Sequence, residues 1–177
     1  QGWNFFKYAK RPRMLFRVVK GLLKSKFAGR ALLPKDLWKL RGVAIGGADS
    51  AVYRQKIYEM WGADPLDGYG CTEAQILATQ TWDREAMTFI PQLNFLEFIP
   101  ENERRKARIF PGYQPETCLL DEVAPGQKYE VVITNLLGGA FVRYPLGDLI
   151  EFTAARNNKL GIDLPRTLGL MSLLRRK

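Results

Sequence analysis

Two short apolar runs, Gly42-Val43-Ala44-Ile45-Gly46-Gly47 and Pro65-Leu66-Asp67-Gly68-Tyr69-Gly70, enclose a stretch in which Val52, Tyr53, Ile57, Met60 and Trp61 recur at helical spacing. Asp49 or Ser50 suits the N-cap of that helix and Gly62 its end. Two strands joined through a helix are expected to lie parallel with a right-handed crossover, which excludes an all-α or a simple hairpin fold here. Ligands in open α/β sheets gather at the carboxyl ends of parallel strands. Gly46-Gly47-Ala48-Asp49 and Tyr69-Gly70-Cys71-Thr72-Glu73 both follow such ends, so neighbouring strands would bring both loops to one crevice. Glycine lets a backbone turn sharply or approach a ligand closely. Thr72 adds a hydroxyl and Glu73 a hard anionic oxygen of the kind Mg²⁺ prefers. The competing reading is a strand-to-helix turn in which Thr72 or Glu73 caps a following helix.

After Ala74 the texture becomes all-β. Met87 to Ile90, Asn94 to Ile99, Tyr129 to Thr134 and Ala140 to Tyr144 alternate or run apolar between Pro, Gly and charged turns. A sharp turn is expected at Pro145–Gly147, followed by a strand from Asp148 to Thr153. Glu101 to Arg108 reads as a charged loop or short helix, a solvated insertion. The expected fold class is α/β: a parallel strand–helix–strand layer followed by a twisted antiparallel sheet or small distorted barrel. The chain divides on this reading into a basic amphipathic helical segment (1–32), an α/β part (33–80), an antiparallel β part (81–160) and a basic tail (161–177).

Chemistry is narrowed by what the chain lacks. There is no histidine among the 177 residues, which removes Ser-His-Asp and Cys-His nucleophilic mechanisms and most transition-metal sites. Two cysteines, Cys71 and Cys118, are too few for a disulfide framework or a zinc cluster. No apolar run reaches the roughly 18 residues of a membrane span, and no secretory leader opens the chain, so the expected compartment is cytoplasmic. Residues 1–41 hold 12 Lys and Arg against the single acid Asp36, whereas the remainder holds 15 against 17. The basic pI therefore belongs to one end. There, Pro12 to Phe27 reads as a helix with Arg13, Arg17, Lys20 and Lys24 in one stripe. Such a helix is usually a solvated face. Its alternative is a non-catalytic module docking on an anionic membrane or nucleic acid. Nucleic acid is disfavoured, since no aromatic residues interleave with the cations on the polar face; peripheral membrane contact is left open.

The second informative block is Thr134-Asn135-Leu136-Leu137-Gly138-Gly139-Ala140-Phe141-Val142-Arg143-Tyr144-Pro145-Leu146-Gly147-Asp148. An Arg and an Asp beside a turn most often form a local salt bridge worth about 0–1 kcal/mol when exposed. A carboxylate on such a turn also suits the vicinal diol of a ribose. Gly46-Gly47-Ala48, Gly68-Tyr69-Gly70-Cys71-Thr72-Glu73 and Arg143-Tyr144-Pro145-Leu146-Gly147-Asp148, in that order, resemble the adenylate-forming superfamily. Those enzymes include acyl- and aryl-CoA ligases and the acyl-acid amido synthetases of the auxin-responsive promoter type. Phe89-Ile90-Pro91-Gln92-Leu93-Asn94-Phe95-Leu96-Glu97-Phe98-Ile99-Pro100 looks most like the auxin-responsive type, and the glycine–tyrosine block is closer to phenylacetate–CoA ligases. The resemblance runs from about Leu33 to Phe152.

The resemblance implies the central part of an adenylate-forming enzyme's N-terminal domain, binding ATP or AMP with Mg²⁺. It implies that Gly46, Gly47 and Ala48 flank the adenine and that Tyr69 packs on the purine, with Gly70 and Arg143 also at the nucleotide. It further implies that Thr72 contacts the α-phosphate, Glu73 binds Mg²⁺, and Asp148 holds the ribose. The implied reaction is attack of a small carboxylic acid on the α-phosphorus, giving an acyl-adenylate for transfer to coenzyme A or an amino acid. This chain departs from the pattern at Pro145, where a second Arg is common. It also shows neither a phosphate loop upstream nor an arginine–aspartate hinge after Phe152. The expectation is a fragment or truncated homologue that lacks the phosphate loop and the C-terminal cap domain, with weak nucleotide binding and little turnover alone.

Overall fold

A computed structural model describes residues 12–47, 50–136, 138 and 140–171. Among the described residues four helices, α1 (Pro12–Phe27), α2 (Pro34–Leu37), α3 (Ser50–Trp61) and α4 (Glu101–Ile109), accompany eight strands. The strands are β1 (Val43–Gly46), β2 (Pro65–Cys71), β3 (Gln75–Gln80), β4 (Met87–Phe89), β5 (Asn94–Pro100), β6 (Lys128–Asn135), β7 (Tyr144–Ala154) and β8 (Arg166–Met171). The chain forms two compact units: Gln1–Val43 with Ala51–Pro65, and Ala44–Ser50 with Leu66–Lys177. This division differs from the linear one expected from the sequence. Among the described residues no helix is long and apolar enough to cross a membrane.

In the first unit α1 packs on α2 through small residues. Gly21 and Ser25 are its buried positions, and a Cβ at Gly21 would sit 2.9 Å from Leu37 Cδ2. The basic stripe and the neighbouring Phe16, Val19, Leu22, Leu23 and Phe27 remain exposed. The side chain of Asp36, the single acid of residues 1–41, is fully buried. It accepts bonds from Arg30 Nη1 at 2.7 Å, Arg30 Nη2 at 2.8 Å and the Leu33 amide at 3.0 Å. The Arg30 guanidinium thereby holds the Asp36 carboxyl well below its usual range. Gly62, at φ +70°, closes α3 in the left-handed conformation that a C-terminal glycine supplies. Trp61 at the end of α3 meets Trp38, with ring centroids 6.5 Å apart.

The second unit carries an eight-stranded sheet in the order β1-β2-β3-β4-β8-β7-β6-β5. β1 and β2 are neighbours, the condition on which the two glycine-ended runs would share a crevice, and the pairings from β2 through to β5 are antiparallel. The sheet is strongly curled. Tyr69 on β2 reaches Asp148 on β7, and the turn after β2 reaches Asn94 and Asn135 at the ends of β5 and β6. The expected small distorted barrel describes this closure. Inside it lie Tyr69, Phe89, Phe98, Tyr129 and Phe152, edge-to-face or tilted with centroids 5.3–6.4 Å apart. Leu77, Val131, Ile133 and Ile150 fill the space around them at zero exposure. Aromatic packing of this kind supplies both buried area and a preferred geometry.

Several expectations are corrected. The Ala140 to Tyr144 stretch is irregular up to the start of β7, and Pro145–Gly147 lies within that strand rather than in a turn joining two strands. Four steps on β7, from Pro145 to Leu149, face two on β6, from Val132 to Glu130, so Leu146, Gly147 and Asp148 form a bulge. Gly147 at φ +78° permits it. Residues 166–171, assigned to a basic tail, form β8 between β4 and β7. The 101–108 segment is helical but not wholly solvated. Glu103 is buried and bonds Lys106 and Tyr113, which bring its carboxyl down to about 2, Lys106 first.

Candidate functional site

The opening motif forms a β-hairpin. Cys71 pairs with Gln75 and Gly70 with Ile76, and the intervening Thr72, Glu73 and Ala74 make the turn. No helix follows, which removes the helix-cap reading of Thr72 and Glu73. The geometry dictates the residue types. A Cβ at Gly70 would collide with the Gln75 carbonyl, so only glycine allows the two strands to close here. Gln75 itself sits at φ +60°, a strained position for a side chain. Asn94 Nδ2 donates to the Ala74 carbonyl at 3.0 Å, and Asn135 Nδ2 donates to the Glu73 carbonyl at 2.8 Å. The result leaves Thr72 exposed and Glu73 half-buried at the rim. Burial raises the neighbouring Cys71 thiol, and the Glu73 carboxylate adds to the effect, so this sulfur is protonated at neutral pH.

Gly46 and Gly47 end β1. A Cβ at Gly46 would lie 3.1 Å from the Gly68 carbonyl oxygen, and Gly47 adopts φ +127°. The glycines therefore serve the close approach of β1 to β2 and the exit from β1. Ala48 lies outside the described residues.

Tyr69 connects the two motifs. Its ring is 2% exposed and its hydroxyl donates to Asp148 Oδ2 at 2.9 Å, although 79 positions separate the residues. Burial, followed by the Asp148 charge, raises the phenol far above its ordinary value. The implied stacking of Tyr69 on a purine does not fit this arrangement, because the ring belongs to the core and its neighbour is Phe89. Its polar end instead orients a carboxylate. Among the described residues no donor reaches Asp148 Oδ1, and that oxygen meets solvent.

Arg143 is directed elsewhere. It sits at φ +47°, its amide donates to Thr134 Oγ1 at 2.9 Å, and its guanidinium grips Glu97 through Nε at 3.0 Å and Nη2 at 2.9 Å. Thr117 Oγ1 donates to Glu97 at 2.8 Å and accepts from Arg143 Nη2 at 3.2 Å. The local Arg143–Asp148 salt bridge considered from the sequence is therefore replaced by a bidentate pair to a carboxylate 46 positions away. Asn94, Asn135, Glu97 and Thr117 carried no sequence signal, since their importance follows from which strand ends the curled sheet brings together.

Among the described residues no three Cys, Asp or Glu side chains converge as a metal cage. Glu73 alone fits a Mg²⁺ that shares its coordination with phosphates, because such ions usually take only one or two carboxylates. A cleft of about 440 Å³ lined by Pro91, Leu120, Val123, Arg156 and Leu164 includes none of the candidate site residues.

Residues 87–160 match the GH3 family central domain. Jasmonoyl–L-amino acid synthetase JAR4 of Nicotiana attenuata is 32% identical over 122 residues, covering 66% of this chain and 20% of that protein. In structure the chain is similar to the AtGH3.15 acyl acid amido synthetase in complex with 2,4-DB. That likeness has a TM-score of 0.54 at 22% identity and covers 76% of this chain and 22% of that one. It is also similar to 2-hydroxyisobutyryl-CoA ligase in the postadenylation state with 2-HIB-AMP. Here the TM-score is 0.55 at 18% identity, over 96% of this chain and 36% of that one. The chain thus spans about a fifth of the length of the amido synthetases it matches. Residues 87–160 are thus similar to the GH3 family central domain, and the chain shares its fold with part of an acyl acid amido synthetase and of an acyl-CoA ligase.

Proposed function

We propose that this chain forms the central nucleotide-binding part of an ATP-dependent ligase that activates a small carboxylic acid as its acyl-adenylate. The acceptor would be coenzyme A or an amino acid. The observation that carries the reading is the Tyr69–Asp148 hydrogen bond of 2.9 Å, which joins the two motif blocks and leaves one Asp148 oxygen to accept from a ribose diol. The likeness to a CoA ligase holding 2-HIB-AMP and to an amido synthetase holding 2,4-DB supports the substrate class.

In this reading the backbone of Gly46, Gly47 and Ala48 flanks the base, and Tyr69 fixes the Asp148 carboxylate for the ribose. Gly70 sets the hairpin so that the Thr72 hydroxyl donates to the α-phosphate. Glu73 holds Mg²⁺, which supplies charge neutralisation at the phosphates. An oxygen of the substrate carboxylate attacks the α-phosphorus, and pyrophosphate leaves with the electrons of the broken P–O bond. Alignment and charge stabilisation suffice for such a step, and no protein nucleophile is needed. Arg143, engaged by Glu97, anchors the segment leading to Asp148. The two free cysteines accord with a reducing, cytoplasmic setting.

Calorimetric titration of the chain with AMP and with Mg·ATP tests the proposal. Asp148→Ala is expected to weaken both ligands by about tenfold or more, and Glu73→Gln to weaken Mg·ATP selectively. A folded wild type that binds neither nucleotide would sink the assignment.

A further inference from the structure

Asn135 joins the two halves of the proposed site. Its side chain leaves the end of β6 and donates to the carbonyl of Glu73 at 2.8 Å, 62 positions away. Its own amide donates to the Phe141 carbonyl at 2.9 Å, and the preceding Thr134 accepts from the Arg143 amide at 2.9 Å. One strand end therefore holds the turn bearing Thr72 and Glu73 and also the segment that runs into the Asp148 bulge. The turn carbonyl that Asn135 takes up belongs to a residue with no strand partner, so the amide replaces a ladder bond that the hairpin does not make. Asn94 does the same for Ala74 at 3.0 Å from the start of β5. Since β6 pairs with β7, a displacement of this clamp changes the position of Glu73 relative to Asp148 without disturbing the aromatic interior.

We infer that Asn135 is a positioning residue, whose side-chain amide sets the place of Glu73 and Thr72 relative to the ribose-binding carboxylate. The inference rests on the nucleotide-site reading above. It predicts a split between ligands. Adenosine engages the Asp148 end alone, whereas Mg·ATP also needs the turn.

The test uses the full chain with Asn135→Ala and Asn135→Asp, the second preserving size while removing the donor. Amide hydrogen exchange in the 71–75 turn is expected to quicken by about tenfold in both variants, with β3 and β6 protection retained. Mg·ATP affinity is expected to fall by about tenfold and adenosine affinity to stay within about twofold. Wild-type exchange in the turn of Asn135→Asp would overturn the inference, as would equal loss of both ligands or collapse of protection throughout the sheet. If the wild type binds no nucleotide while the turn of the variants still loosens, the ligand reading fails and the structural clamp stands. If nucleotides bind normally to both variants, the clamp has no part in positioning and the site reading survives.

Discussion

Two aspartates placed in similar sequence surroundings, each beside a proline-containing turn signal, end in opposite circumstances. The Asp36 side chain is fully buried, with both oxygens taken by Arg30 and a third bond from the Leu33 amide. Asp148 is half-buried, receives one bond from a neutral phenol and keeps an oxygen for solvent. A carboxylate saturated by fixed partners stabilises its surroundings and has no acceptor capacity left for a ligand. One oriented by a single neutral donor is directed and keeps acceptor capacity for a ligand. The contrast separates the structural acid of the first unit from the candidate ligand acid of the second.

The comparison can be broken most forcefully at Asp36. Asp36→Ala strands Arg30 beside a buried gap and is expected to lower the stability of the first unit by about 2–4 kcal/mol. Urea unfolding followed through the tryptophans at 38 and 61 checks this. Asp148→Asn, by contrast, keeps an acceptor for Tyr69 and is expected to change stability by less than about 1 kcal/mol while weakening AMP. Equal destabilisation by the two changes would erase the distinction.

A second large effect is expected at Gly70. Gly70→Ala drives a methyl into the Gln75 carbonyl and should cost about 2 kcal/mol or more by opening the hairpin. Thermal melting would show it, whereas Gly47→Ala, with open space around it, should suffer no clash and only the backbone penalty of its φ of +127°, about 1–3 kcal/mol.

The pH dependence sharpens the same contrast. Asp36 and Glu103 have lowered folded values, so their contributions are complete above the unfolded carboxylate range near pH 4. Both are lost as pH falls, Glu103 through about 2 and Asp36 lower still. Tyr69 behaves oppositely. Its raised value gives stability that is complete below about pH 10 and declines as pH rises beyond it. Phenolate absorbance in an alkaline titration should therefore show one tyrosine ionising only with unfolding, and Tyr69→Phe should remove that component. The smallest effect is expected from Arg143→Lys. It loses the bidentate grip on Glu97 at a largely exposed guanidinium, about 1 kcal/mol or less in stability, and barely alters AMP affinity.

Local pattern made much of the fold legible. The basic amphipathic helix spans Pro12–Phe27 as its periodicity indicated, and the apolar runs at 94–99 and 129–134 became paired strands. β3 escaped because Gln75-Ile76-Leu77-Ala78-Thr79-Gln80 has no clean alternation. β8 escaped because its partners β4 and β7 lie far away in sequence, and a strand ending in a basic stretch carries no local sign of pairing. At the candidate site, motif order singled out Tyr69, Thr72, Glu73 and Asp148 as candidates, but not their partners. Closure of the curled sheet sends Arg143 to Glu97 and puts Asn135 against Glu73, and both contacts are set by strand order rather than spacing.

A crystal structure of the chain with AMP tests the central claim most directly. The account predicts the ribose hydroxyls within hydrogen-bonding distance of Asp148 Oδ1, with Tyr69 still donating to Oδ2 and the α-phosphate beside Thr72. AMP bound away from the Tyr69–Asp148 pair, with Asp148 facing only solvent, would contradict it.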